Sequence, residues 1–218
     1  MSAAAPSLFD ELLSPAANRS RQDVILAAAG RMFIQHGFEG SSMDVIAKAA
    51  GVARQTLYNR FPEGKEALFG AVAERMWRAF PVMDIASDEA ALADPQLGLT
   101  TIGNGVAEFW SPPLAVDFLR MVISEGPRFP QLTQRFFEVG KTPAVSAVRN
   151  YIAELGRRGT LAITDADLAA QQFLGMIDET VLWVRVMGDS AALTQAKRDL
   201  VVEQAVAIFL GFYRRTAK

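Results

Sequence analysis

The chain has 218 residues, half of them apolar, with 22 Lys and Arg against 24 Asp and Glu, one His and no Cys. That length accommodates one large domain or two smaller ones with a sizeable core; the missing Cys excludes disulfides and thiolate metal sites, and a single His argues against a His-based zinc site or triad. No apolar run approaches the roughly 18–20 residues of a membrane span, and no basic start leads into an apolar leader, so the expectation is a soluble cytoplasmic protein with no membrane partner, metal or cofactor.

Residues 1–18 are rich in Ala, Ser and Pro and are predicted to be a disordered tail. Ser20 with Asp23 opens the first helix as a capping pair. Its buried face runs through Val24, Ile25, Ala28, Ala29, Met32 and Phe33 to about Gln35, and His36-Gly37-Phe38 makes a turn. Ser41 or Ser42 caps a second helix with Asp44 in its first turn, where a carboxylate suits the positive end of the helix dipole. Val45, Ile46, Ala49 and Ala50 supply an apolar stripe, and Gly51 ends the helix because it adopts a left-handed conformation without a Cβ clash. A third helix follows from Arg54, with Leu57 and Phe61 inward and Arg54, Gln55, Thr56, Tyr58, Asn59 and Arg60 outward.

Two short helices joined at glycine form a helix-turn-helix, and the outward face of the second points to DNA. A guanidinium pairs bidentately with guanine, carboxamides pair with adenine, and hydroxyls hold phosphates. Arg54, Gln55 and Asn59 are therefore the candidate base readers, and Ser42, Thr56 and Tyr58 candidate phosphate contacts. Residues 19–80 carry nine Lys and Arg against six acids, whereas residues 81–218 carry thirteen against sixteen, a mildly basic head on an acidic body. Lys65 opens a fourth helix after Pro62 and extends to about Phe80. A cation there opposes the helix dipole, a conflict that a nearby phosphate oxygen resolves.

Pro81 to Pro95 reads as a break and domain boundary. Beyond it, helices are predicted at about 96–110, 113–125, 129–138, 142–157, 165–188 and 194–215, separated by Gly and Pro. Thr164 with Asp167 repeats the capping-box pattern. No alternating strand pattern and no internal repeat appears, so the chain reads as all-α: residues 19–80 a helix-turn-helix domain with its connecting fourth helix, and residues 81–218 a larger helical domain.

Residues 19–69 resemble the DNA-binding domain of the TetR/AcrR family of bacterial transcriptional regulators. The likeness rests on FIQHGFEGSSMDVIAKAAGVARQTLYNRFPEGKEALF, which holds the Gly-aromatic turn, the "IAKAAGV" and "TLYNRF" helices and the lysine of the fourth helix in family order. The later segment FLRMVISEGPRFPQLTQRFF, with Glu125, Arg128 and Phe129-Pro130, is similar to the AefR-like branch. The resemblance implies a phosphate contact for Lys65 and a second domain that binds a ligand and dimerises. It also implies a ligand-responsive regulator, most simply a repressor. As a homodimer, the regulator would sit on a near-palindromic double-stranded operator and be released by a small apolar or amphipathic effector. Large adaptable side chains (Phe109, Trp110, Phe118, Met121, Phe137, Met176 and Trp183) are the candidate pocket lining. The last two helices carry apolar residues three and four apart, so Phe173, Ile177, Val181, Val201, Ala205 and Phe209 are the candidate dimer contacts. The alternatives are an all-α enzyme or a partner-binding protein acting through the same domain. Neither finds support in a HExxH, a P-loop or a nucleophile elbow, and no catalytic residues are expected.

Overall fold

The computed structural model of the chain describes residues 20–188 and 193–214, and every regular element among them is helical, as the sequence predicts. The tail 1–18 and Arg19 lie outside the described residues. The chain divides into two compact units. One gathers the described residues up to Ala79 with Pro112–Lys141, and the other Phe80–Ser111 with the described residues from Thr142 onward.

In the first unit, α1 (Arg21–Gly40) starts at Ser20, whose hydroxyl accepts from the Asp23 N–H at 3.1 Å and donates to the Asp23 carboxylate at 2.6 Å. Gly37 interrupts α1 with φ 70°, a left-handed backbone that a Cβ would strain. Beyond it Phe38 is 1% exposed and packs among the rings of Phe33, Phe69 and Phe129, with centroids 5.6, 6.0 and 5.2 Å away. Then come α2 (Met43–Ala49), α3 (Arg54–Arg60) and α4 (Lys65–Trp77). Helices α7 (Pro113–Glu125) and α8 (Pro130–Phe136) complete the unit, α7 against α1 and α8 against α4. Aromatic faces make these joins: Phe118 of α7 stacks on Phe69 at 5.5 Å, and Phe136 of α8 meets Trp77 edge-on at 5.5 Å.

The second unit holds a 3₁₀ turn at Ile85–Ser87, then α5 (Glu89–Ala93), α6 (Pro95–Phe109), α9 (Thr142–Arg157), α10 (Ala166–Asp178), α11 (Val184–Val186) and α12 (Gln195–Tyr213). Asp94 caps α6 through the Gln96 and Leu97 N–H groups, with Pro95 at the first helical position, where it forfeits no hydrogen bond. Helices α6, α10 and α12 pack on one another around Phe173 and Phe209, whose rings meet at 5.3 Å. Tyr151 of α9 is fully buried and donates to the Ala91 carbonyl at 2.7 Å, and burial raises its phenol pKa.

The sequence places a domain boundary near residue 80; by packing, the chain changes units at Ala79–Phe80 and also at Ser111–Pro112 and Lys141–Thr142, so 112–141 packs within the first unit. The reason is the aromatic faces of α7 and α8, which find their partners on α1 and α4. Several expectations are corrected. In α2 the buried stripe is Met43, Ile46, Ala47 and Ala50, while Val45 is 44% exposed and Ala49 is exposed. Asp165, not Thr164, caps α10, accepting from the Leu168 N–H at 2.9 Å. The segment Pro81 to Pro95 contains α5 and the 3₁₀ turn rather than a plain break. Gly140 to Pro143 does not end helicity, because a π-helical turn over Phe137–Lys141 carries α8 into α9. Such a widened turn accommodates a proline that has no N–H to return. A second π turn, Glu179–Trp183, links α10 to α11.

An ion-pair cluster on the second unit sets one pH response. Glu154 accepts from Arg157 Nε at 2.7 Å and Arg158 Nε at 2.7 Å, and Arg158 also forks onto Glu89 at 2.8 Å. The hydrogen bonds from Arg157, then Arg158, hold the Glu154 carboxyl down to about 2 from its ordinary 4.5. A depressed carboxyl stabilises the fold above the unfolded-state value and loses that contribution as pH falls through the folded value. The melting temperature is therefore expected to fall between pH 4.5 and about 2. Glu154→Gln should flatten that fall modestly, because the group is open to solvent screening. An identical pH profile for the variant would remove this contribution.

Candidate nucleic-acid interface

The turn between α2 and α3 is built from local hydrogen bonds. Ser42 accepts from the Val45 N–H at 3.2 Å and so caps α2. At the other end, Gly51 takes φ 64°, its N–H bonds Lys48 O at 3.2 Å, and the Val52 N–H reaches back to Ala47 O at 3.0 Å. This paired closure satisfies the last carbonyls of α2 and requires a left-handed residue at Gly51. Leu57 is fully buried and Phe61 nearly so, which anchors α3 by one side and leaves the other to solvent.

On that open side, Arg54, Gln55, Asn59 and Arg60 are exposed and Thr56 and Tyr58 half-buried. The candidate base readers are paired before any ligand arrives. Arg54 Nε lies 2.9 Å from the Asp44 carboxylate, and its guanidinium sits 5.3 Å from the Tyr58 ring centroid. Gln55 donates its amide N–H to the Asn59 side-chain oxygen at 2.8 Å, one helical turn on. Arg60 donates to Gln22 of α1 at 3.0 Å, which ties the far end of α3 to the first helix. No acid lies on α3.

Lys65 is placed differently from a simple surface cation. Its ammonium donates to Phe38 O at 2.5 Å and Glu39 O at 3.4 Å, and it lies 4.2 Å from the Phe38 ring centroid. It thus serves two carbonyls at the end of α1, of which Phe38 O also accepts from the Ser41 N–H at 3.3 Å. Burial pulls its pKa below the ordinary lysine value, against the opposing pull of Glu66, Glu125 and Glu39. Beside it, Arg128 of the α7–α8 turn forks onto Glu39 at 2.5 and 2.8 Å.

The candidate pocket residues divide between the units. Phe118, Met121 and Phe137 belong to the first and Phe109, Trp110, Met176 and Trp183 to the second. Phe109 and Trp110 are buried against each other with centroids 4.8 Å apart, whereas Phe137 is 48% and Trp183 45% exposed. A groove of about 750 Å³ in the second unit runs between α6 and α12, with Asn104, Asp199, Glu203 and Arg214 among its polar lining. None of the seven residues lines it.

Of the candidate dimer contacts, Phe173, Ile177, Val181, Ala205 and Phe209 are buried inside the protomer and have no surface to offer a second copy. Val201 is half-buried. The exposed apolar surface of these helices is the neighbouring stripe: Ile208 at 61%, Phe212 at 76%, Leu200, Trp183 and Met187. Apolar residues occur on all sides of α12, so helical spacing did not reveal which side turns inward. Among the described residues no His, Cys, Asp and Glu group is placed to hold a metal, and no helix is long and apolar enough to cross a membrane.

Two sequence profiles match the chain. "Bacterial regulatory proteins, tetR family" covers residues 25–72, and "AefR-like transcriptional repressor, C-terminal domain" covers residues 97–215, more than half of the chain. This chain belongs to the TetR family of transcriptional regulators. The regulator also resembles solved structures along nearly its whole length. A crystal structure from Mesorhizobium loti MAFF303099, described as a TetR-family transcriptional regulator, is 27% identical, covers 89% of this chain and 97% of its own, and superposes with a TM-score of 0.76. The flavonoid-responsive regulator FrrA is 29% identical over 90% of this chain and 98% of its own, with a TM-score of 0.73. A TetR family regulator from Pseudomonas syringae pv. tomato is 27% identical over 92% and 100%, also at 0.73. No curated protein matches the chain. The helix-turn-helix is thus a DNA-binding domain, and the family's members are not enzymes, which sets aside the enzymatic alternative.

Proposed function

We propose that the regulator binds a near-palindromic operator as a homodimer and represses transcription until a small apolar or amphipathic effector releases it. The observation that carries this reading is the open side of α3, where Arg54, Gln55 and Asn59 stand exposed on an acid-free helix anchored by Leu57 and Phe61. Two such helices related by a two-fold axis enter successive major grooves about 34–36 Å apart. Arg54, Gln55 and Asn59 read bases, and Ser42, Thr56, Tyr58 and Lys65 hold phosphates. The effector acts by binding more tightly to a state in which the two heads are out of register with the grooves. The kinship with FrrA, named for its response to flavonoids, makes flat phenolic compounds the first effectors to screen.

The test is binding of the purified protein to its own upstream intergenic DNA and to scrambled DNA across several salt concentrations. Selective binding with a steep salt dependence, relieved by an effector, is the expected result. Equal and weak binding to both DNAs contradicts operator recognition at that locus. Lys65→Ala is expected to weaken binding to every sequence alike and to lower the salt slope by about 1 per bound head. The Lys65 ammonium has three N–H groups, and its carbonyl partners leave one for a phosphate oxygen. A loss confined to one operator position would contradict this role.

A further inference from the structure

Glu125 ends α7 with its carboxylate pressed onto α1. Its Oε1 would lie 2.4 Å from a Cβ at residue 37, an approach that only glycine there permits. Its Oε2 has essentially no exposed surface and, among the described residues, no hydrogen-bond partner. A carboxylate oxygen buried without a partner is costly, and the negative end of the helix dipole adds to the cost. Two cations flank the same stretch of α1, and both are engaged elsewhere. Arg128 has its two terminal nitrogens on Glu39. Lys65 donates to Phe38 O and Glu39 O, which leaves one ammonium N–H.

We propose that Glu125 competes with DNA phosphate for the third N–H of Lys65, so that the seating of α7 on Gly37 limits how firmly the protein holds any DNA. The inference rests on Lys65 being a phosphate contact. Gly37, Phe38 and Glu39 are consecutive; the carboxylate bears on the first and the ammonium on the other two, so acceptor and donor gather at one short segment of backbone. Burial lowers the Lys65 pKa, and the charges of Glu66, Glu125 and Glu39 oppose that fall. The arrangement seen here leaves the N–H to phosphate and Oε2 unserved. In the alternative one the ammonium serves Glu125 through a charge-assisted hydrogen bond, and the phosphate loses its contact. The cost of the orphaned oxygen drives the second arrangement, and DNA favours the first. Met121 and Phe118 lie one and two turns before Glu125 on the same face of α7. Both are candidate pocket residues, so an effector that shifts α7 biases the choice.

Binding of the full-length protein to a scrambled DNA duplex at low salt tests the proposal, because a phosphate contact is independent of sequence. Wild type, Glu125→Gln, Lys65→Ala and the double variant are compared after thermal melts establish that each folds. Glu63→Gln, a change at an exposed acid two residues before Lys65, controls for the loss of one negative charge and is made with and without Lys65. Glu125→Gln is expected to bind about fivefold more tightly than wild type, with a steeper salt dependence, and to gain nothing in the Lys65→Ala background. Glu63→Gln should have the same effect in both backgrounds. Glu125→Asp keeps the charge and shortens its reach; it should share part of the tightening, and it serves in place of the amide if Glu125→Gln does not fold. Tightening by Glu125→Gln that persists without Lys65 makes Glu125 a general repulsive charge and overturns the competition. Weaker binding, or none of the expected change, overturns it as well, the former marking Glu125 as a structural support for α1. Lys65→Ala that binds as tightly as wild type removes the phosphate contact itself, and the proposal with it.

Discussion

Replacing Phe38 with alanine is expected to cost about 3–5 kcal/mol of stability, the range for removing a large buried aromatic. Phe38 is 1% exposed and touches the rings of Phe33, Phe69 and Phe129 at centroid distances between 5.2 and 6.0 Å. Its removal leaves a void facing three aromatic side chains from α1, α4 and the α7–α8 turn, and rings of this size do not collapse into it. It also takes away the surface under the Lys65 ammonium, 4.2 Å from the ring centroid. Domains of this kind are stable by about 5–15 kcal/mol, so the variant approaches the limit of folding. Denaturant unfolding checks this through a lower midpoint at unchanged slope. A cost below about 1 kcal/mol would mean that the site relaxes around the cavity, contrary to the packing seen here. Phe38→Leu keeps most of the volume and should cost clearly less, which keeps the comparison open if the alanine variant does not fold.

Ile208→Glu combined with Phe212→Glu is expected to yield a monomer and to weaken operator binding by more than about 100-fold. These side chains are 61% and 76% exposed on α12, next to a buried stripe of Val202, Ala205, Val206 and Phe209 that already belongs to the core. Phe173 facing Phe209 and Tyr213 bonded to Gln172 at 2.7 Å show that α10 and α12 run antiparallel. Leu200, Trp183 and Met187 add to the apolar surface these helices leave open. This is the surface on which the proposed dimer would bury apolar side chains. A carboxylate buried there without a partner costs about 3–5 kcal/mol, and two-fold symmetry applies each substitution twice. Sedimentation and DNA titration together check the result. A variant that remains dimeric with unchanged operator affinity places the interface elsewhere. Because both residues are exposed in the protomer, folding should survive the change, and a thermal melt distinguishes loss of assembly from loss of fold.

The contrast between these two sites shows where sequence reasoning succeeds. Phe38 sits after a glycine turn in a family-specific order, and its neighbours Phe33, Lys65 and Phe69 all fall within one contiguous stretch of chain. The stripe on α12 has no such signature. Val202, Ala205, Val206 and Phe209 face inward, Ile208 and Phe212 outward, and both sets repeat at helical spacing. Spacing distinguishes an apolar side from a polar one; it does not distinguish two apolar sides. All of the expected dimer contacts except Val201 therefore fell on buried faces. Similarly, Val45 and Ile46 are equivalent by hydropathy, and only packing shows that Ile46 is buried and Val45 open.

By itself the sequence determined what local chemistry controls. It specified most of the helices, the Ser20 and Ser42 caps, the Gly51 closure between α2 and α3, and the polar outward set on α3. These depend on backbone hydrogen bonds and on residues within a few positions of one another. The family-specific order of that segment then sufficed to name the regulator's class. The tertiary structure alone decided which contacts form between distant segments. It joined 112–141 to the rest of the first unit through the faces of Phe118 and Phe136, and engaged the Lys65 ammonium at the end of α1. It also paired Asp44 with Arg54 across the turn, and Glu39 with Arg128. Each of these depends on relative positions of helices that no local pattern encodes, because a side chain's partner is set by the packing of whole helix faces rather than by its neighbours in sequence.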